Sequence, residues 1–396
     1  MSNIGQIHRS EYEITDPKSP VSCAEAPGRI HFLGEEGQPQ STFFLSAAID
    51  RYIRLAVSQR KDNSFRFFAS DLGERKRSTV ANIKYRREDR WANYIKTAIF
   101  VFIDLGYPVK GLNFTFSGDI PQHIGLASSV AIETAAATAL KHLLRINISE
   151  TELAKRLFQT HISLFGKEVP LVDYQVSLLA KKDQFLVLDC SSEGISCEIK
   201  RVSSPFSKYK FLLVDSRAFR AGTEKELASR RADSLKGLKY LTKNHDGTAF
   251  KDFAPNDLLE ALGNFPEQIR RRTMHIVEEI RRVNDAVSAL ERNDVPAFAK
   301  TIFHSHESLR DLYEISCPEV DWLVKRAQEI EGAAGSRMTG LGFGGCTYAI
   351  IRKELAEEFK KRLEEYERIF GFQPVIYEVK TATGARIIPE RKKVKA

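Results

Sequence analysis

The chain has 396 residues, of which 42% are hydrophobic and 28% charged, a balance typical of a globular protein with an ample core. This length predicts two domains, or one large domain with insertions. No apolar run reaches the roughly 18 residues of a membrane span, and the first ten residues lack the apolar segment of a signal peptide. The net charge of +8 is spread along the chain, which favours a solvated surface and small anionic ligands over nucleic acid.

The cysteines give no sign of a metal site or a disulfide framework. They are odd in number and scattered, and none forms a CxxC pair: Cys23, Cys190, Cys197, Cys317 and Cys346. This pattern predicts a reduced, cytoplasmic protein without structural zinc.

The N-terminal half begins with polar, proline-punctuated residues 1–20, which predict a loose arm. Pro27 and Gly28 signal a turn, and Arg29 follows at the start of a strand, where a lone arginine is ordinarily a surface residue. Strands are predicted at 30–33, 43–51, 53–58 and 64–70, and a helix at 93–105 follows Trp91.

A glycine-rich segment at 118–131 lies between a predicted strand at 112–116 and a predicted alanine-rich helix at 131–144. A strand, a glycine loop and a helix start together bind phosphate well, because the first N–H groups of the helix have no partner and its dipole favours an anion. Gly125 would let the backbone approach a phosphate. The segment is not a Walker A loop, since no Gly-Lys-Ser/Thr closes it. The alternative is an ordinary helix capped by Ser128.

The rest of the chain alternates helices with short strands. Asp173 precedes an apolar helix, where a lone aspartate is ordinarily an N-cap. A polar connection at 199–207 marks a domain boundary. Further segments are predicted as helices at 149–165, 223–241, 257–265, 266–292, 295–308 and 356–371, and as strands at 210–215 and 374–378. A second glycine-rich loop spans 335–345.

Three runs resemble the motifs of galactokinase-type GHMP kinases, in order and at family spacing. They are Ala26-Pro-Gly-Arg with Gly34-Glu35, Pro121-Gln-His-Ile-Gly-Leu-Ala-Ser-Ser129, and Arg337-Met-Thr-Gly-Leu-Gly-Phe-Gly-Gly-Cys346. The resemblance covers about residues 20–390. It implies an α+β, two-domain GHMP kinase fold, with a ribosomal protein S5 domain 2-like N-terminal domain at 21–205 and a ferredoxin-like C-terminal domain at 206–396. A last strand near 381–388 would return to the N-terminal domain, and 1–20 would be the arm.

The resemblance also implies roles for single residues. Arg29 and Asp173 would be catalytic, and Ser129 and His161 would face Mg²⁺. Nucleotide binding would fall to Trp91, Pro121, Gly125, Leu126, Ala127, Ser128 and Ser129. Substrate binding would fall to Glu35, Glu36, Gln38, Gly342 and Gly344.

Three positions depart from the family pattern. His161 stands at the place of the Mg²⁺-binding Glu, Gln38 at that of a carboxylate that grips sugar hydroxyls, and Leu227 at that of a sugar-contacting Tyr. We therefore expect a cytoplasmic, monomeric kinase that uses ATP and Mg²⁺ on a sugar or sugar derivative, with galactose a poor substrate and neither nucleic acid nor membrane as partner. The alternative is a catalytically weak nucleotide- and sugar-binding sensor.

Overall fold

A computed structural model describes residues 3–34, 43–122, 124–166, 169–190, 196–218, 223–260, 266–340 and 342–390. Their mixture of helices and strands confirms the predicted α+β class. No helix within these ranges is both long and apolar enough to cross a membrane. The described helices are α1 (Ile4–Glu11), α2 (Ala92–Asp104), α3 (Ser128–Leu143), α4 (Glu150–Phe165), α5 (Leu171–Leu179), α6 (Thr223–Asn244), α7 (Pro255–Leu259), α8 (Glu267–Glu291), α9 (Val295–Ser308), α10 (Pro318–Gln328), α11 (Ala356–Arg362) and α12 (Glu365–Phe370).

The strands form two sheets. The described strands are β1 (Val21–Leu33), β2 (Phe43–Gln59), β3 (Ser64–Ala69), β4 (Glu74–Thr79), β5 (Leu112–Gly118), β6 (Gln184–Cys190), β7 (Cys197–Ser203), β8 (Tyr209–Asp215), β9 (Ser336–Thr339), β10 (Cys346–Arg352), β11 (Val375–Val379) and β12 (Arg386–Ile387). One sheet has eight strands and the other has four.

The larger sheet runs in the order β12-β1-β2-β5-β3-β4, and β6 joins it through β2 and carries β7 on its other side. The long strand β2 pairs with β6 near its start and with β5 near its end. Strand β12, almost at the end of the chain, pairs with β1 near its beginning. The smaller sheet, β11-β8-β10-β9, is antiparallel throughout, as far as its pairings are described. Domain boundaries at 205 and 206 stay a prediction.

Helix α3 is buried against the larger sheet and sets the position of the glycine-rich segment before it. It packs on β1, β2 and α2, and half of its ten buried residues are alanine. Small side chains let a helix lie close to its neighbours, and interiors packed at crystal density hold it there. The start of α3 is therefore fixed relative to β1, which carries Arg29.

Strand β1 begins at Val21, nine residues before the predicted strand. Pro27 and Gly28 lie inside it, and the pairing with β2 shifts register between them. A proline and a glycine are tolerated at such an irregularity because the ladder is interrupted there. The turn predicted at these residues is therefore wrong, and Arg29 lies within a buried strand instead of at a surface turn.

The predicted loose arm is also wrong for residues 4–11, which form α1. Ile4 and His8, one helical turn apart, are both buried. The ring of His8 bonds to Thr115 Oγ1 at 3.0 Å and to Ser58 Oγ at 2.8 Å. The polar composition of this segment concealed its buried face, although the four-residue spacing of Ile4 and His8 is a helical signal that could have revealed it.

Cys190 and Cys197 form a disulfide that the sequence did not predict. The two residues are directly opposite in the β6–β7 pair. They are seven positions apart along the chain, and the antiparallel pairing of β6 with β7 brings their side chains together. Cys23, Cys317 and Cys346 are buried, and in the described part of the chain they form no disulfide.

Candidate active site

The glycine-rich segment joins β5 to α3 as predicted, but α3 begins at Ser128 and not at residue 131. Ala127 occupies the N-cap position in the left-handed conformation, with φ 58°, and within the described residues no side-chain hydrogen bond caps the helix. The alternative reading, with Ser128 as an ordinary cap, is therefore wrong. The first N–H groups of α3 lack a side-chain cap, and together with the helix dipole they make this helix start suitable for an anion.

Gly125 and Gly340 bring the two glycine-rich segments into backbone contact. A Cβ on Gly125 would lie 2.8 Å from Gly340 Cα, and both residues have positive φ, 81° and 92°. Only glycine fits such a contact at these φ values. The close approach that requires Gly125 is thus to the protein itself, and its contact with a phosphate stays a prediction.

Gly342 and Gly344 also lie close to protein backbone. A Cβ on Gly342 would lie 2.7 Å from the carbonyl oxygen of Ile315, and one on Gly344 would collide with the carbonyl group of Ala218. These contacts explain both glycines without a substrate. Their substrate-binding role stays a prediction.

A cavity of about 1070 Å³ opens beside the start of α3. Every residue predicted to bind the nucleotide lines it: Trp91, Pro121, Gly125, Leu126, Ala127, Ser128 and Ser129. Tyr85, Tyr94, Phe116 and Phe165 add aromatic surface. Trp91 is held by its indole N–H, which donates to Glu74 Oε2 at 2.8 Å, and by the Phe116 ring at 5.0 Å. Aromatic walls next to a helix start suit a ligand with a flat base and phosphates.

Arg29 and Asp173 form a buried two-pronged ion pair. Arg29 Nε donates to Asp173 Oδ1 at 2.7 Å, and Arg29 Nη2 donates to Oδ2 at 2.8 Å. Their side chains are only 7% and 4% exposed. Burial by itself raises the pKa of Asp173, but the Arg29 charge and a His31 hydrogen bond outweigh it and hold that pKa well below its usual range. Asp173 therefore remains ionised at neutral pH.

Asp173 lies in the first turn of α5, but it does not cap the helix. Pro170 is at the N-cap position, and the Asp173 carboxylate is bonded to strand β1 instead. The N-cap alternative is wrong for this reason. The positive end of the helix dipole adds to the attraction that keeps this carboxylate charged.

Arg29 also connects the carboxylate to the glycine-rich segment. Its Nη1 donates to the carbonyl oxygen of Gly125 at 2.5 Å, and its backbone N–H donates to that of Leu126 at 3.2 Å. One arginine thus fixes the proposed catalytic carboxylate relative to the start of α3. A reaction between a hydroxyl at Asp173 and a phosphate at α3 requires this arrangement.

His31 is a site residue that the sequence analysis missed. It is fully buried, with Nε2 2.8 Å from Asp173 Oδ1 and Nδ1 2.7 Å from Ser46 Oγ. Alternate residues of a strand face the same side, so Arg29 predicts that the side chain two positions later also points to Asp173. The predicted turn at residues 27 and 28 concealed this signal.

His161 is buried and bonds to a carboxylate. Its Nδ1 bonds to Glu133 Oε1 at 2.7 Å, and Tyr174 donates its hydroxyl to Glu133 Oε2 at 2.6 Å. Burial raises the pKa of Glu133, although both partners act against that rise. In the described parts of the chain, no three His, Cys, Asp or Glu side chains could hold a metal ion together. Mg²⁺ prefers oxygen ligands, and Mg²⁺ that is bound with a nucleotide takes only one or two protein ligands beside the phosphate oxygens, so a contact from Ser129 or His161 stays a prediction.

Glu35, Glu36 and Gln38, predicted to bind the substrate, lie outside the described residues. Gly34, immediately before them, donates its N–H to Glu279 Oε1 at 3.2 Å. Leu227 lies in α6 and is buried in an apolar cluster of the C-terminal helices.

Comparison with known proteins agrees with this geometry. Residues 93–181 match the GHMP kinases N terminal domain, and residues 286–368 match the GHMP kinases C terminal family. The matched N-terminal region contains the glycine-rich segment, the start of α3 and Asp173. The fold and site thus define a GHMP kinase.

Individual similar proteins show which type of GHMP kinase this chain is. A protein of Treponema pallidum (strain Nichols) named "Putative galactokinase" is 36% identical over 393 residues, 98% of this chain and 97% of that protein. The galactokinase of Thermotoga petrophila is 32% identical over 365 residues, 92% of this chain and 99% of that protein. The crystal structure of Lactococcus lactis galactokinase complexed with galactose has a TM-score of 0.86 at 23% identity, covering 97% of this chain and 100% of that one, which supports the fold. The chain belongs to the galactokinase-type sugar kinases of the GHMP family and is a phosphotransferase.

Proposed function

We propose that this kinase transfers the γ-phosphoryl group of ATP to a sugar hydroxyl, with Asp173 and Arg29 as its catalytic residues. The observation that supports these roles best is the buried pair itself, because Arg29 holds Asp173 ionised while bonding to the glycine-rich segment. The alternative, a binding protein with weak catalysis, is not favoured: the chain belongs to a kinase family, and both residues keep a geometry that binding alone does not need.

In this proposal Asp173 accepts a hydrogen bond from the acceptor hydroxyl and takes its proton. The hydroxyl oxygen attacks the γ-phosphorus, the bond from that phosphorus to the β-bridging oxygen breaks, and ADP leaves with the electron pair. Positioning and electrostatic stabilisation supply most of the catalysis in such transfers. The positive charge of Arg29 compensates negative charge in the site, and its hydrogen bonds hold the Asp173 carboxylate in position. N–H groups at the start of α3 stabilise charge on the phosphates.

The acceptor we propose is a sugar or sugar derivative other than galactose. The relatives' names point to galactose, but Gln38 stands where the galactokinase motif has a sugar-binding carboxylate. A neutral amide oxygen accepts hydrogen bonds more weakly than a carboxylate does. A site built around one hydroxyl pattern discriminates strongly against others. A monomeric state and a cytoplasmic location are part of this proposal.

An ADP-release assay over neutral hexoses, uronic acids and amino sugars tests the activity. We expect turnover with at least one sugar and its loss in Asp173→Asn, with ATP binding retained. ATP binding without turnover of any sugar would contradict the proposal and restore the sensor alternative.

A further inference from the structure

The hydrogen bonds to Asp173 are unevenly shared between its two oxygens. Oδ1 receives both Arg29 Nε and His31 Nε2, at 2.7 and 2.8 Å, whereas Oδ2 receives only Arg29 Nη2, at 2.8 Å, from the described residues. An ionised carboxylate has about four lone-pair positions, two on each oxygen. The two donors fill Oδ1, and one position on Oδ2 remains for a further donor.

The charges around His31 determine which of its nitrogens carries a proton. The ionised Asp173 can only accept, so the proton lies on His31 Nε2. Arg29 already balances the single negative charge of Asp173, and a second buried cation would have no counter-ion. Nδ1 therefore stays unprotonated and accepts from the hydroxyl of Ser46, 2.7 Å away.

We propose that His31 is a positioning residue of the phosphoryl transfer. It is the neutral tautomer with its proton on Nε2, it is oriented by Ser46, and its Nε2–H fills the last lone-pair position on Asp173 Oδ1. The oxygen that accepts the proton of the substrate hydroxyl is therefore Oδ2. This inference rests on the proposed function of Asp173.

His31 has a mechanical part in this arrangement. Arg29 by itself holds the Asp173 carboxylate along one edge. The hydrogen bond from His31, a residue of β1, restrains the carboxylate in a second direction. Ser46, directly opposite His31 on β2, is part of the same sheet and fixes the imidazole ring. Small misplacements of a catalytic group lower the rate strongly, by ~10²-fold for about 1 Å. Loss of the His31 donor should therefore reduce kcat and leave substrate binding almost unchanged.

His8 provides a matched control within the same chain. It is also fully buried and also bonds through both ring nitrogens, but its partners are the hydroxyls of Thr115 and Ser58 and not a carboxylate. Burial lowers the pKa of His8 to about 3, with a smaller contribution from Arg9. Substituting His8 tests what a buried, fully bonded histidine contributes to folding alone.

The kinetic test compares His31→Leu, His31→Gln and His8→Leu, using the best acceptor found for the full-length kinase. We expect His31→Leu to lower kcat by ~10²-fold, with KM for ATP and acceptor within about threefold. His31→Gln keeps an amide donor near the position of Nε2 and should recover most of that loss. His8→Leu should lower the melting temperature and leave kcat nearly unchanged. Equal kcat losses in His31→Leu and His8→Leu would overturn the inference.

Nitrogen-15 NMR of the histidine rings tests the tautomer directly. The His31 signals, assigned by their absence from His31→Gln, should show a protonated Nε2 and an unprotonated Nδ1 at neutral pH. A proton on Nδ1, or on both nitrogens, would overturn the inference even if His31→Leu does not fold. If Asp173→Asn retains full kcat, the proposed function itself fails. If Asp173→Asn abolishes turnover while His31→Leu retains it, only the role of His31 fails.

Discussion

Replacing Arg29 by Met should destabilise the protein in a pH-dependent way. The substitution removes the charge that keeps Asp173 ionised, and it leaves a carboxylate whose side chain is 4% exposed without that counter-charge. Breaking a buried ion pair by removing one partner costs about 3–5 kcal/mol. For an unfolding unit of about 150–250 residues, this loss lowers the melting temperature by on the order of 10 °C.

The sign of the pH dependence follows from the change in the pKa of Asp173. In the wild type, the folded-state pKa lies below the unfolded value of about 3.9, so the pair stabilises the fold above that pH, and this stabilisation is lost as pH falls through the folded-state pKa. Without Arg29, burial should outweigh the remaining His31 hydrogen bond and raise the folded-state pKa of Asp173 above the unfolded value. The penalty of Arg29→Met should then be smallest at pH values below the folded-state pKa of the wild type, and it should increase as pH rises toward the raised folded-state pKa of the variant.

Thermal unfolding of wild type, Arg29→Met and the double variant Arg29→Met with Asp173→Asn measures this effect at pH 5 and pH 8. The double variant carries no buried charge at this position, so it should be more stable than Arg29→Met at pH 8, and its difference from wild type should change less with pH. A loss below about 1 kcal/mol in Arg29→Met, or a loss independent of pH, would refute the reasoning.

Four further outcomes are expected. A non-hydrolysable ATP analogue with Mg²⁺ should bind in calorimetry, and absence of binding at millimolar nucleotide would contradict the assignment of the cavity as the nucleotide site. Asp173→Asn should lower kcat by ~10²–10⁴-fold with little change in KM, and activity equal to that of the wild type would mean that Asp173 is not the catalytic base. Gly125→Ala should destabilise the protein more than Gly73→Ala, because both have positive φ but only Gly125 would contact Gly340; equal melting temperatures would contradict this. Galactose should have a low kcat/KM that Gln38→Asp raises, and wild-type galactose turnover unmatched by any other sugar would restore galactose as the acceptor.

The sequence by itself determined the fold class, the family and the pair of proposed catalytic residues. These features depend on local patterns that a linear reading preserves, such as a glycine-rich segment between a strand and an alanine-rich helix. The residues predicted around the nucleotide all line one cavity, because they belong either to that segment or to Trp91, just before α2. The bounds of α3 differ from the prediction by three residues at its start, where Ala127 adopts the left-handed conformation.

Only the tertiary structure decided which side chains share each buried charge. His31 reaches Asp173 across 142 positions of sequence, and His161 reaches Glu133 across 28, so each partner lies far away along the chain. The position of His161 suggested a metal ligand, but packing of α4 against α3 directs its ring to a carboxylate. A buried ionisable group needs a charged or hydrogen-bonding partner inside the folded protein. Which residue becomes that partner depends on the register and packing of elements that are distant in sequence.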